Sequence, residues 1–188
     1  MLNDRSTPQA FLATRRSGKP RDLGLPGPTP AEIDAMIAVA ARTPDHGKLS
    51  PWRFVVVEDR DRLAALLTGA LRDEKPGASA AEIAAADQFA QQAPALVVVM
   101  SSPRPDSPIP LWEQQLSSGA ACMNLLHAAN AAGYAGGWLT GWAAFSPRVR
   151  EAFGAEPERI AGFIFIGTPS RPLDERPRPE LERIVSRW

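Results

Sequence analysis

Few side chains in this sequence could act alone as a nucleophile, a general base or a metal ligand. It has one cysteine, Cys122, and two histidines, His46 and His127, which are far apart along the chain. Cys122 and His127 lie in an apolar segment, where such residues usually pack rather than react. No G-x-S-x-G motif, P-loop or G-x-G-x-x-G fingerprint occurs. The sequence therefore predicts no catalytic side chain and no metal site, and it favours a bound cofactor that supplies the chemistry.

Three short segments have the residue types expected of a ligand site. Arg15–Lys19 contains three cations and a hydroxyl, which suit phosphate oxygens but also occur in solvated basic turns. Arg42–Trp52 is a polar loop stiffened by prolines, of the kind that often carries ligand contacts. Gly136–Trp142 combines glycines, which allow close backbone approach, with indoles that form flat apolar walls.

The elements that position these segments alternate between helix and strand. Helices are predicted near Pro8–Arg16, after the capping boxes that begin at Thr29 and Ser79, around Leu63–Leu71, over about Trp112–Ala132, and between Ser146 and Gly154. Strands are predicted at Trp52–Glu58, Ala95–Met100 and Ile160–Ile166, with Ile184–Trp188 as a further candidate. This alternation favours an α/β or α+β sandwich in a single domain, residues 1–188.

The stretch from Gln114 to Pro147 has no acidic residue, lysine or arginine. A membrane span is a poor interpretation, because Asn124, His127, Asn130 and several glycines interrupt the stretch. A helix that is apolar nearly all round and buried on every side explains it better. Since a chain this short has little else with which to cover such a helix, the sequence predicts burial against a second subunit.

Composition excludes several classes of protein. Lys+Arg and Asp+Glu both number 21, so the formal net charge is zero, and the electrostatic case for binding nucleic acid or a membrane surface is absent. The 44% of hydrophobic residues are enough for a folded core. A single cysteine excludes an intramolecular disulfide, and the N-terminal residues show no signal-peptide pattern. The sequence thus predicts a cytoplasmic protein.

Five segments occur in an order that is typical of one known family. They are Arg15–Ser17, Ala41–Phe54, Trp112–Leu126, Gly136–Gly141 and Gly162–Pro169. In this order they resemble the nitroreductase family, in particular its short branch of NAD(P)H nitroreductases. The resemblance implies an α+β fold, a three-layer α-β-α sandwich. Its central, mostly antiparallel sheet would be completed by the partner's C-terminal arm, so that residues 170–188 form a dimer-exchange arm.

The resemblance also implies a homodimer with one FMN per subunit at the dimer interface, reduced by NADH or NADPH. Arg15 and Ser17 would hold the FMN phosphate, Arg16 would contribute largely through its backbone, and Lys19 would lie near the pyrimidine edge of the flavin. The remaining implied contacts are His46 and Ser50 to the partner's FMN, Trp138, Leu139 and Thr140 along the isoalloxazine, and Arg176 or Arg178 over the phosphate.

The implied activity is that of an FMN-dependent NAD(P)H oxidoreductase. Such an enzyme would reduce nitroaromatics, quinones or similar electron-poor small molecules by ping-pong hydride transfer. Two alternatives need the same FMN site: a flavin store or sensor with little turnover, and an enone reductase or dehalogenase on the same fold.

Overall fold

Helices and strands alternate along the chain in the computed structural model, which describes residues 1–188. The helices are α1 (Pro8–Thr14), α2 (Pro30–Ala40), α3 (Arg60–Glu74), α4 (Ala80–Gln91), α5 (Leu111–Ala131) and α6 (Pro147–Phe153). The strands are β1 (Leu23–Gly24), β2 (Trp52–Val56), β3 (Ala95–Ser101), β4 (Ala135–Leu139) and β5 (Arg159–Pro169).

The strands form one antiparallel sheet in the order β2-β3-β5-β4, and β1 pairs with the end of β5. Every residue of β3 is buried, as is most of β5, because side chains on both faces of these central strands are covered. This burial on both faces explains the continuous apolar runs from which the two strands were predicted. The α+β class and the mostly antiparallel sheet are confirmed.

Two apolar clusters form the contacts between the sheet and its two helical layers. On one face Val98 and Phe163 pack with Leu67 of α3 and with residues of α4. On the other face Val97 and Ile164 pack with residues of α2 and α5. Because neighbouring residues of a strand point to opposite faces, each central strand contributes to both clusters, which gives the three layers of the sandwich.

Local capping confirms where three helices begin. The Thr29 hydroxyl accepts from the Glu32 N–H and the Glu32 carboxylate accepts from the Thr29 N–H; Ser79 and Glu82 form the same capping box. At α6 the Ser146 side chain caps the helix and proline follows at the first position. These reciprocal bonds satisfy backbone donors that a helix leaves unpaired.

Two expectations about elements are corrected. The tail Ile184–Trp188 forms no strand, and the exposed 3₁₀ turn Leu181–Arg183 precedes it. The glycine-rich segment after α5 is strand β4, which the low strand propensity of glycine concealed. In the single chain Leu111, Trp112 and Leu116 of α5 are exposed, and burial of this helix against a second subunit stays a prediction.

No helix is both long enough and apolar enough to cross a membrane.

Candidate functional site

Two of the three segments predicted to bind a ligand, Arg15–Lys19 and Gly136–Trp142, lie side by side. After α1 the chain runs along β4, where the Gly18 N–H donates to the Gly136 carbonyl at 2.9 Å. A Cβ on Gly137 would lie only 2.6 Å from the Gly18 carbonyl oxygen. Glycine at this position therefore permits the close approach of the two backbones. The phosphate-type residues of Arg15–Lys19 are thereby fixed next to β4.

The chain beyond β5 returns over the same place. Residues 170–178, here called the strap, begin with hydrogen bonds from the Ser170 N–H and hydroxyl to the Asp22 carbonyl, both 2.9 Å. Arg171 forms an ion pair with Asp22. Further along, the Arg16 Nε donates to the Asp174 carbonyl at 2.7 Å, and the Lys19 Nζ lies 3.1 Å from an Asp174 carboxylate oxygen. The two ends of the chain therefore meet at this site.

Four arginines from the two ends of the chain converge there. Burial first, and then the charges of Arg178, Arg16 and Arg176, lower the pKa of Arg15 from its usual value. Arg15 donates to the Ser17 hydroxyl at 3.2 Å and has no carboxylate within ion-pair distance, whereas Arg178 is 3.0 Å from Glu175. The cluster keeps an excess of positive charge and of N–H donors, which suits a phosphate dianion.

Trp138 forms a partly exposed apolar wall on β4. Its indole N–H donates to the Ala161 carbonyl at 3.0 Å, and the ring lies on Gly162, where a Cβ would fall 2.0 Å from Nε1. About 38% of the residue remains exposed. Leu139 packs against the core on the opposite face, so only its backbone shares the side of Trp138. Thr140 follows at the half-buried end of β4.

The Asp45–Ser50 loop carries the other predicted contacts and is held by α5. The Ser117 hydroxyl donates to the Pro44 carbonyl and the Ser118 hydroxyl to the Pro51 carbonyl, both at 2.7 Å. Within the loop, the Ser50 N–H donates to Asp45 at 2.7 Å. Positive φ angles at Gly47, Lys48 and Ser50 turn the chain sharply and leave Ser50 exposed.

His46 at the tip of this loop has a carboxylate partner. Its Nδ1 lies 2.9 Å from an oxygen of Glu113, near the beginning of α5. A carboxylate that accepts from Nδ1–H leaves Nε2 as the ring nitrogen that faces solvent. Glu113 lay within a segment used for the family resemblance, but its pairing with His46 was not predicted, because the two residues are distant in sequence.

The arginine cluster and the His46 loop occupy different ends of α5. Glu113 contacts the loop, whereas His127 is close enough to Arg15 for the Arg15 charge to lower its pKa, after the larger effect of burial. Fourteen helical residues separate Glu113 from His127, or about 21 Å at 1.5 Å per residue. A single chain therefore does not bring His46 and Ser50 to the arginines.

The remaining titratable residues of α5 are packed. Burial raises the pKa of the Cys122 thiol to about 12, so the thiolate is disfavoured, as expected of a core cysteine. His127 makes an edge-to-face contact with Phe11 at 5.7 Å between ring centroids. No group of three or more His, Cys, Asp or Glu side chains is arranged to hold a metal ion.

The fold and the site together define an α+β protein with a cationic cradle at one edge of its sheet. The sequence model of the Nitroreductase family matches residues 12–168. The chain is 36% identical over 163 residues to "Putative NAD(P)H nitroreductase YdjA" of Escherichia coli (strain K12), an alignment that covers 85% of this chain and 86% of that protein. This chain belongs to the nitroreductase family, and it is an enzyme of the oxidoreductase class.

Solved structures share the fold. The nitroreductase-like family protein from Bacillus cereus superposes with a TM-score of 0.84 at 19% identity, covering 97% of this chain and 96% of that one. A variant of the FMN and NADPH-dependent nitroreductase NfnB from sphigopyxis sp. strain HMH gives 0.71 at 19% identity, covering 96% and 98%. The nitroreductase-like sandwich expected from the sequence is thereby confirmed.

Proposed function

We propose that the protein is an FMN-dependent NAD(P)H oxidoreductase that reduces nitroaromatics, quinones or similar electron-poor molecules by a ping-pong reaction. The observation that carries the proposal is the cluster of Arg15, Arg16, Arg176 and Arg178 beside strand β4. Arg15 has donors to spare and no carboxylate partner, so the cluster fits a phosphate. The FMN and NADPH dependence of NfnB supports the same assignment.

The chain's own residues have distinct tasks in this proposal. Arg15 and Ser17 bind the FMN phosphate from one side, and Arg176 or Arg178 from the other, while Arg16 contributes mainly through its backbone. FMN in this position would supply the redox chemistry, taking up a hydride from NADH or NADPH and delivering it to the acceptor. The positive charge of Lys19 would favour the reduced form of the flavin. The ion pair of Lys19 with Asp174 weakens that effect.

The walls of the site would orient the flavin ring and exclude water. Gly136 and Gly137 let Leu126 of α5 and the Gly18–Pro20 segment pack closely on β4, which would hold the walls in place. The Trp138 indole is fixed by the Ala161 carbonyl and by Gly162, and Thr140 carries a hydroxyl just after the strand. With Trp138, the backbone of Leu139 and Thr140 lining the isoalloxazine, no protein nucleophile is required.

A homodimer would complete the site. His46 contacts Glu113, which lies about 21 Å along α5 from His127 beside Arg15, so a second copy is needed if the His46 loop and the arginines are to contact the same flavin. Exposed Trp112 and Leu116 of α5 give an apolar face for such a contact. The apolar end of the dimer-exchange arm, residues 170–188, packs on the partner in this proposal. Access to NADH or NADPH would place the enzyme in the cytoplasm.

Flavin identity and reduction test this function. The purified protein should be yellow, and denaturation should release FMN rather than FAD. When the protein is mixed anaerobically with NADH or NADPH, the flavin absorbance should decrease. Addition of a nitroaromatic or a quinone should restore it. A colourless protein that cannot be reconstituted with FMN would contradict the proposal. A yellow protein that neither nicotinamide reduces would instead be a flavin store or sensor.

A further inference from the structure

Asp174 is the last residue of the chain that ties the strap to the body of the protein. Its backbone carbonyl accepts from the Arg16 Nε at 2.7 Å and its carboxylate pairs with the Lys19 Nζ at 3.1 Å. Beyond it, the hydrogen bonds and ion pairs of residues 175–188 are all local, among them Arg178 to Glu175 and the turn at Leu181. Arg176 and Arg178 therefore depend on Asp174 for their position.

The arginines that Asp174 brings together repel one another. Arg176 and Arg178 arrive on the strap, whereas Arg15 and Arg16 follow α1, and besides burial the charges of Arg178, Arg16 and Arg176 all lower the pKa of Arg15. Glu175 offsets one positive charge, through its ion pair with Arg178 and through its effect on Arg15. Like charges at close range oppose the closed position of the strap until an anion neutralises them. The contacts of Asp174 with Arg16 and Lys19 must therefore hold the strap closed against this repulsion.

We propose that Asp174 is a positioning residue for phosphate binding, which clasps the strap to Arg16 and Lys19 and so holds Arg176 and Arg178 opposite Arg15. This inference rests on the proposed function, since the phosphate is taken to be that of FMN. Asp174 itself touches no phosphate in this arrangement, because its carboxylate faces Lys19. It acts through the two arginines that follow it.

Closure of the strap by Asp174 and binding of phosphate must favour each other to the same extent. If the closed strap tightens phosphate binding by some factor, then bound phosphate stabilises the closed strap by that factor. The Lys19–Asp174 pair is exposed, with 49% and 66% of the side chains accessible, and exposed pairs contribute modestly. We expect a two- to five-fold effect on phosphate affinity, about what one exposed ion pair contributes.

The test compares ligands with and without the phosphate. Dissociation constants for FMN and riboflavin are measured on the full-length protein for wild type, Asp174→Asn and the matched control Glu180→Gln, which removes an equal charge from the same exposed end of the chain. Asp174→Asn should weaken FMN binding about two- to five-fold and leave riboflavin binding unchanged. The control should bind both ligands as wild type does.

A second measurement uses inorganic phosphate as the probe. Amide hydrogen exchange in the segment that contains residues 170–178 reports opening of the strap. Phosphate should slow that exchange in wild type and in Glu180→Gln, and less so in Asp174→Asn. In a Lys19→Met background, Asp174→Asn should have a smaller effect on FMN than in wild type, because the ion pair is already lost.

The outcomes separate the two proposals. Equal FMN affinity in wild type and Asp174→Asn overturns the clasp, as does an equal loss for FMN and riboflavin, since the latter indicates a general distortion. If wild type binds FMN no more tightly than riboflavin, the arginine cluster does not bind the phosphate and the proposed function itself is wrong. An unchanged unfolding midpoint in Asp174→Asn verifies that its fold is intact.

Discussion

The strap and the Asp45–Ser50 loop carry the two halves of the proposed flavin site, yet they are held in opposite ways. The flanks of the loop are tied to α5 by hydroxyls of Ser117 and Ser118, which are themselves buried. The strap begins with the Ser170 hydrogen bonds to Asp22, is then held by exposed charged groups, and has no such contact past Asp174. Buried hydrogen bonds hold a fixed geometry, whereas exposed ion pairs are weak and screened by salt. We therefore expect the loop to be formed in advance and the position of the strap to depend on the proposed ligand.

Because of this difference, the two regions should respond differently to substitution. A change at the loop's ties should alter stability, because a polar group loses its partner in the interior. A change in the strap should alter ligand binding, because little of the core depends on it. The following predictions test this division, from the largest expected effect to the smallest.

Deleting Arg178–Trp188 should cause the largest loss. The deletion removes one arginine of the cluster together with Leu181, Ile184, Val185 and Trp188, which are exposed in the single chain and pack on the partner in the proposed dimer. Dimer stability and FMN retention should fall together, as measured by sedimentation and flavin content. The fold should persist, since none of these residues belongs to either core cluster. A truncated chain that stays dimeric and fully yellow would show that the segment is only a loose tail.

Arg15→Ala should come next. Arg15 has no carboxylate partner and lies at the centre of the cluster, so it should contribute one charge-assisted hydrogen bond or more to the phosphate. We expect FMN binding to weaken by about 1.5–3 kcal/mol, measured by flavin titration. Arg16→Ala is the matched comparison and should cost less, because the Arg16 side chain is directed to the Asp174 and Ser17 carbonyls. Equal losses for both would contradict the assignment of Arg15.

Ser118→Ala tests the loop side of the comparison. The substitution removes a buried donor to the Pro51 carbonyl, so we expect the free energy of unfolding to fall by about 1 kcal/mol. The ratio of FMN to riboflavin affinity should not change, since the arginine cluster is at the other end of α5. Urea unfolding and flavin titration measure the two quantities. Ser186→Ala, in the exposed tail, is the control. A selective loss of FMN affinity in Ser118→Ala would mean that loop and strap are not independent.

Sequence reasoning succeeded where local rules decide the structure. The capping boxes at Thr29 and Ser79 and the buried runs of β3 and β5 depend on neighbouring residues and on the alternation of faces, which a sequence displays directly. Strand β4 was missed because its Gly136 and Gly137 have poor strand propensity, and its reason to exist is pairing with β5.

The parts of the site that sequence reasoning missed are contacts between distant residues. Asp174 with Lys19 and Glu113 with His46 join positions that no local pattern relates. The fixing of Trp138 by Gly162 likewise depends on the register between β4 and β5, which the sequence does not specify. Positions of Arg15, Arg16, Arg176 and Arg178 were inferred from family resemblance, whereas their convergence from the two ends of the chain is a property of the fold.

The smallest expected effect concerns His127 of α5, whose pKa is affected by burial and by the charge of Arg15. Burial, and after it the charge of Arg15, lower its pKa in the folded protein, whereas in the unfolded chain the value is about 6.5. As the pH falls below that value, the unfolded chain takes up a proton before the folded one does, which favours unfolding. Stability present above about pH 6.5 should therefore decrease as the pH falls toward the folded pKa and then level off. Urea unfolding of wild type and of His127→Gln between pH 7.5 and pH 5 measures this contribution. The contribution is absent if the two proteins show the same pH dependence.

Phosphate bound at Arg15 would offset the charge of that residue, so the decrease in stability should be smaller in the FMN-loaded protein. An unchanged decrease would place the phosphate away from Arg15 and contradict the proposed phosphate site.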